Sequence, residues 1–428
     1  MKEGRGTRHV PWWLLSGAGV LTQLLTMASG IMSARMLGVE GRGQLLLVAT
    51  LGAVASQLSL GGSLPNAITK QLAERGLTAR DGLHGMVRRW LPLGVAAGAV
   101  AAGYYLFLEW DSSAPDKYLL ALGVTLFALQ AMVSRILMGA MLGEGSPPVS
   151  VVLTSVLPQA LVVLVIGTAL ALDVEWNAVE ITGVIVGCTF LVVLGRLRLL
   201  APPTGRAEDR LDRGELNRLA RRTHIGSVGP IDGLAIDRVL VGSLLGSAPL
   251  GLYSVAVALA SLNNILGMSL GMLAVPRVAV LQKDPEGERR YVRTTLLLSV
   301  ALLGTVVMLL EIVMSPLIRL AFGEEFMGGV PCARWVVVAS GLLGFRRVLI
   351  GILQGRDRGR SGSVIELALT PALVVGVVVA AMRDSLVLVG VSMTVVGAAS
   401  CVILGVVVLR SSPRRGTHRL ERGDRRRA

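Results

Sequence analysis

The chain has 428 residues, of which 53% are hydrophobic and only 16% charged, and it carries a formal net charge of +14. A soluble domain is about a quarter charged, so this composition excludes an ordinary soluble globule. The mean hydropathy of +0.66 reflects apolar runs that recur from Trp12 to Leu409, each able to cross about 30 Å of hydrocarbon as a helix.

The basic residues sit between these runs and at the two ends, which argues against a nucleic-acid surface. Cys188, Cys332 and Cys401 are scattered and odd in number, giving neither a disulfide framework nor a zinc spacing. His9, His84, His224 and His418 form no cluster, so no metal or other cofactor is expected. A phosphate-binding Gly-x4-Gly-Lys-Ser/Thr loop is absent, and with it the signature of an ATP-driven pump.

Taken in order, the runs predict an all-α polytopic membrane protein of twelve helices, roughly 12–36, 44–66, 87–109, 117–141, 149–172, 178–200, 224–245, 248–276, 292–321, 331–354, 362–382 and 385–409. The first run, Trp12 to Ala34, exceeds a signal-peptide core and reads as a retained span. With the N-terminus inside, 35 of the 42 Lys and Arg residues fall in cytoplasmic segments and six outside, with Arg238 in a span. That asymmetry is the positive-inside rule, and it predicts both termini on the cytoplasmic side; the expected location is a bacterial cytoplasmic membrane. The expected divisions are a short N-terminus (1–11), a six-helix bundle (12–200), a polar linker (201–222), a second bundle (223–410) and a basic tail (411–428) suited to anionic lipid.

Three anchors relate the two bundles. Leu37-Gly38 with Gly43 matches Leu245-Gly246 with Gly251, 208 residues on. Ser59-Leu60-Gly61 near Pro65 matches Ser269-Leu270-Gly271 near Pro276, at an offset of 210. Arg135 with Gly139 and Gly143 matches Arg347 with Gly351 and Gly355, at 212. Six helices per copy is an even number, so the copies share one orientation. A pseudo-two-fold axis along the membrane normal is expected, with a cavity between them.

The stretches RMLGVEGRGQLLLV, SLGGSLPNAITKQLAERG and IDRVLVGSLLGSAPLGLYSVAVAL together resemble the polysaccharide-transport branch of the multidrug/oligosaccharidyl-lipid/polysaccharide exporter superfamily. The resemblance rests on Arg35, Leu37, Gly38 and Gly43 after the first helix, and on Gly61, Gly62 and Pro65 after the second. Asp237, Arg238, Leu245, Gly246, Gly251 and Tyr253 carry it around the seventh. Arg42 and Gln44 depart from the pattern, standing where an aromatic residue is usual. The resemblance implies a flippase that moves an undecaprenyl-diphosphate-linked glycan to the outer leaflet.

Such a substrate needs cations for its diphosphate, and arginine's planar fork suits that task. Arg135 and Arg347 occupy matched positions, Arg346 adjoins the latter, Arg35 lies at the outer end of helix 1, and Gln23 is a sugar contact candidate. Asp237, near mid-membrane, is the first candidate for coupling to H+ or Na+; Asp232, Glu311 and Glu366 follow. For each charged group the alternative is a structural ion pair or a head that snorkels to the interface. Gly38, Gly43, Gly246 and Gly251 are read as structural motif positions.

Outer loops this short leave no room for an outer catalytic domain, so the chain is expected not to be an enzyme. The alternatives are an ion-coupled drug or cation antiporter on the same fold and a non-transporting scaffold for glycan enzymes. Expected partners are the lipid-linked glycan, membrane lipids and a polysaccharide polymerase or glycosyltransferase, with no nucleic acid.

Overall fold

A computed structural model describes residues 12–61, 63–110, 115–200, 214–220, 229–231 and 233–410. Every regular element among them is helical. The first bundle comprises α1 (Trp12–Ser56), α2 (Leu64–Arg75), α3 (Ala79–Leu108), α4 (Asp116–Glu144), α5 (Pro148–Ala171) and α6 (Ala178–Leu199). The second comprises α7 (Ile236–Leu244), α8 (Ser247–Leu281), α9 (Pro285–Ala321), α10 (Val330–Gly355), α11 (Arg360–Met382) and α12 (Leu386–Arg410).

Ten of these helices are long and apolar enough to cross a membrane, and α1 supplies two crossings. As a straight rod its 45 residues would extend about 67 Å, twice what a bilayer core needs. It is broken at Gly38, where φ is 65° and ψ −172°, a region that essentially only glycine occupies. The limbs on either side fold together, since Arg42 Nη1 donates to Ser33 Oγ at 3.0 Å. The connection expected between the first two helices, 37–43, is therefore a single residue, with helix resuming directly after Gly38.

Gly246 repeats this break in the second half, at φ 97° and ψ −176°. Around it α7 and α8 fold back, and the Tyr253 hydroxyl donates to Asp237 Oδ2 at 2.7 Å. The seventh helix was expected over 224–245, but α-helix begins only at Ile236. Gly229, Pro230 and Gly233 explain the shortfall, because proline removes a donor and glycine pays backbone entropy. The preceding chain turns instead, with Gly229 O accepting from Gly233 N at 2.7 Å and from Leu234 N at 2.9 Å. Asp232, Gly62, the start of the linker and the basic tail lie outside the described residues.

The second expected helix ends differently as well. After Ser56 a π-helical turn (Gln57–Gly61) precedes α2. A π turn takes in extra residues, and the repeat records them. Gly139 packs on the Pro65 backbone and Gly351 on that of Gly271, so the facing positions are 206 apart. Ser59 and Ser269, an anchor at 210 by sequence, are therefore not the structurally matched pair.

Within the polar linker, residues 214–220 are helical, and Leu216 and Ala220 are buried in one cluster with Leu64, Ile68 and Leu72. Leu216, Leu219 and Ala220 recur at helical spacing, which gives that turn one apolar face. Arg75 Nη2 reinforces it from α2, 3.5 Å from Glu215 Oε2.

The halves meet along α1 and α8. Their closest approach is at the breaks, where small residues let backbones touch. A Cβ on Gly43 would lie 1.8 Å from the Ser247 carbonyl oxygen, and one on Gly251 would lie 1.8 Å from that of Val39. The halves are in backbone contact at this end.

Candidate functional site

Away from the breaks, the first limb of α1 and the C-terminal half of α8 diverge. Between them lies a cavity of about 660 Å³ lined by Gly19, Val20, Gln23, Asn264, Met268 and Arg347, among others. Ligand sites of this size are usually apolar with a few placed polar groups. Here the polar groups are Gln23 from α1, Ser261, Asn264 and Ser269 from α8, and Arg347 from α10. None of the lining residues is acidic, and Arg347 is the one with a formal charge. Gln23 and Arg347, far apart in sequence, are thus brought to one site.

Arg347 is held by its Nη1, which donates to the Asn264 carbonyl oxygen at 3.2 Å. Its matched residue Arg135 donates from Nη1 to Gln57 Oε1 in the π turn. Gln57 and Asn264 are 207 residues apart, so each arginine bonds a residue near the matched position, through a side-chain amide in one half and a backbone carbonyl in the other. Their surroundings differ: Arg135 is not among the cavity-lining residues, and the two do not meet there.

Arg346 and Glu366 pair with each other. Arg346 is fully buried on α10, and its Nη2 contacts Glu366 Oε2 on α11. Glu366 Oε1 also accepts from Ile231 N at 2.8 Å, which ties α11 to the irregular chain before α7. Arg35 donates through Nε to the Ala321 carbonyl at 2.8 Å and through Nη2 to that of Leu320. It caps the end of α9 across the halves, where a cation suits exposed carbonyls. Glu311 lies 3.9 Å from Arg334 Nε in a partly exposed pair. Asp237 is buried, with its carboxylate on the Tyr253 hydroxyl, in the apolar core near the breaks and not at the cavity.

Asn264 was missed in the sequence, although adjacent amides at Asn263-Asn264 in an apolar run are a readable signal. Its Oδ1 is buried at the cavity with no hydrogen-bond partner. Asn263 instead donates from Nδ2 to Ser340 Oγ at 2.9 Å, joining α8 to α10. Among the described residues no group of three or more His, Cys, Asp or Glu is arranged to hold a metal ion.

Residues 234–331 match the family model described as polysaccharide biosynthesis protein. An inward-facing multidrug resistance MATE family transporter of the MOP superfamily aligns with a TM-score of 0.70 at 13% identity, covering 91% of this chain and 94% of that one. The lipid II flippase MurJ in an inward closed conformation also gives 0.70, at 12% identity, covering 92% and 87%. The chain has the MOP superfamily fold. A third MOP transporter, from Pyrococcus furiosus, aligns at 0.54 and 14% identity over 92% of this chain and 93% of its own. No curated protein matches the sequence. An outward-facing MATE family transporter of the MOP superfamily aligns with a TM-score of 0.58 at 13% identity, covering 92% of this chain and 94% of that one.

Proposed function

We propose that this chain is a flippase that carries a polyprenyl-diphosphate-linked glycan across the bilayer by alternating access. The observation that carries the reading is the cavity itself, which has Arg347 as its charged group and the amides of Gln23 and Asn264 beside it. A cation in a low-dielectric recess suits a phosphoryl anion. Amide groups suit sugar hydroxyls, because each offers both a donor and an acceptor. A cation antiporter on the same fold would want a carboxylate in that position, and the lining has none.

The charge asymmetry of the loops supports an orientation with the cavity towards the cytoplasm and the glycine breaks towards the outer side. Loading then occurs from the cytoplasmic leaflet of a bacterial cytoplasmic membrane. Release requires the Gly43 and Gly251 contacts to part while the cavity end closes. Asp237, buried beside those contacts, is the residue best placed to couple that change to an ion gradient.

The test is leaflet-resolved transfer of a prenyl-diphosphate glycan in proteoliposomes. Transfer by the wild type that falls at least tenfold in Arg347→Ala is expected. Absence of transfer with several glycans, together with gradient-driven efflux of organic cations, would sink the flippase reading.

A further inference from the structure

Two side-chain contacts flank the glycine breaks, and each joins one half of the molecule to the other. Arg35 stands three residues before the break at Gly38, and Ser243 three residues before the break at Gly246, so the two are 208 residues apart. From the first half, Arg35 Nε donates to the Ala321 carbonyl oxygen at 2.8 Å and Arg35 Nη2 to that of Leu320, at the end of α9. From the second half, Ser243 Oγ accepts from the Tyr104 hydroxyl at 2.9 Å, near the end of α3. The helices α3 and α9 begin 206 residues apart, at Ala79 and Pro285, and hold matching places in the repeat. Each half thus reaches from the same position to the corresponding helix of the other, once with a guanidinium and once with a hydroxyl. Glu325, on the turn after α9, also overlies the first break, with Oε2 3.4 Å from where a Cβ on Gly38 would stand.

The buried polar pairs are arranged differently. Arg346–Glu366 and Asp237–Tyr253 lie within the second half, and Arg135–Gln57 lies within the first. A rigid-body movement of the halves leaves those three intact and breaks the two flanking contacts. Both flanking contacts are within reach of water, since Arg35 is exposed and Tyr104 is 40% exposed. Water can therefore satisfy the separated groups, and opening strands none of them in hydrocarbon. A hydrogen bond of this kind biases an equilibrium by roughly two- to tenfold without locking it.

We infer that Arg35 with the end of α9, and Tyr104 with Ser243, are paired latches that hold the glycine end of the molecule shut and release together when it opens. The inference rests on the alternating-access part of the proposed transport reading and on no particular substrate.

Hydrogen–deuterium exchange of the full chain in nanodiscs, without substrate, tests it. Residues 37–47 and 243–254 report the glycine end, and residues 261–276 report the cavity. Arg35→Gln should speed exchange at the glycine end roughly threefold or more and slow it at the cavity. Arg35→Lys keeps a cationic donor for the same carbonyls and should stay near the wild type. Tyr104→Phe and Ser243→Ala should each produce the same opposed shift, by the same factor, and the double variant should add nothing. Additive effects would mean that the Tyr104–Ser243 bond is not the cause, and would overturn that latch. Faster exchange at both ends, with a lower melting temperature, would make these contacts plain structural ties and overturn the inference. Unchanged exchange in Arg35→Gln and Tyr104→Phe, in a protein that does move a glycan, would overturn the latches and leave the flippase reading standing. Opposed shifts in a protein that moves no glycan would support the latches and count against the flippase reading.

Discussion

Gly43 and Gly251 each press a bare Cα against the other half of the molecule. Gly43 meets the carbonyl of Ser247, and Gly251 meets that of Val39. Both pairs are related by the same 208-residue offset, so the contact is reciprocal, as in a two-fold interface. One pseudo-symmetric seam therefore holds the halves together at the end where the backbone breaks.

The reciprocity predicts equal sensitivity. Gly43→Ala and Gly251→Ala each force a methyl into a backbone carbonyl, and overpacking of this kind costs about 1–3 kcal/mol. Thermal unfolding should report a similar loss for both. Gly183→Ala, which meets nothing within 4 Å, should melt as the wild type does.

Gly38→Ala and Gly246→Ala test the breaks themselves. Both positions hold positive φ with extended ψ, which costs a side chain about 1–3 kcal/mol. Each variant should unfold at a lower temperature, and a neutral result at either would mean that the break is not needed at that residue.

The Arg346–Glu366 pair is deeply buried, so removing one member leaves an uncompensated charge. Arg346→Ala should lower stability by about 3–5 kcal/mol. Replacing both with apolar residues of similar volume should cost far less. A double-mutant cycle on thermal unfolding measures the difference, and additive losses would show that the two residues are not coupled.

The two matched arginines should behave differently in transport. Arg347 lines the cavity, whereas Arg135 is bonded to Gln57 away from it. Arg347→Ala is expected to lower glycan transfer at least tenfold and Arg135→Ala severalfold less. Equal losses would require Arg135 to reach the substrate in another state.

Asp237→Asn keeps an acceptor for Tyr253 but removes the ionisable group. Transfer should persist without a gradient and lose its response to one. If the variant still responds, the coupling group lies elsewhere. Tyr253→Phe removes the donor from a buried carboxylate and should cost about 1–3 kcal/mol of stability.

The membrane class, the near-complete set of spans and the duplication were legible in the sequence because they depend on local quantities. Apolar run length, loop charge and repeated glycines are each readable one segment at a time. The glycines at 38, 43, 246 and 251 were legible as a motif, but their purpose was not, since it lies in contacts between residues some 200 positions apart. The short seventh helix was overestimated because hydropathy registers apolar content and not the broken hydrogen bonding around Pro230.

Tertiary structure decided the rest. It separated Arg135 from the cavity and seated Arg347 in it, although the two look equivalent in the repeat. It paired Arg346, a diphosphate candidate, with Glu366, a coupling candidate, and set Arg35 on the last carbonyls of α9. Charge sign is written in the sequence, whereas desolvation and counter-ion geometry arise only when distant helices pack. A buried group's role follows from whichever partner the packing brings within about 3 Å.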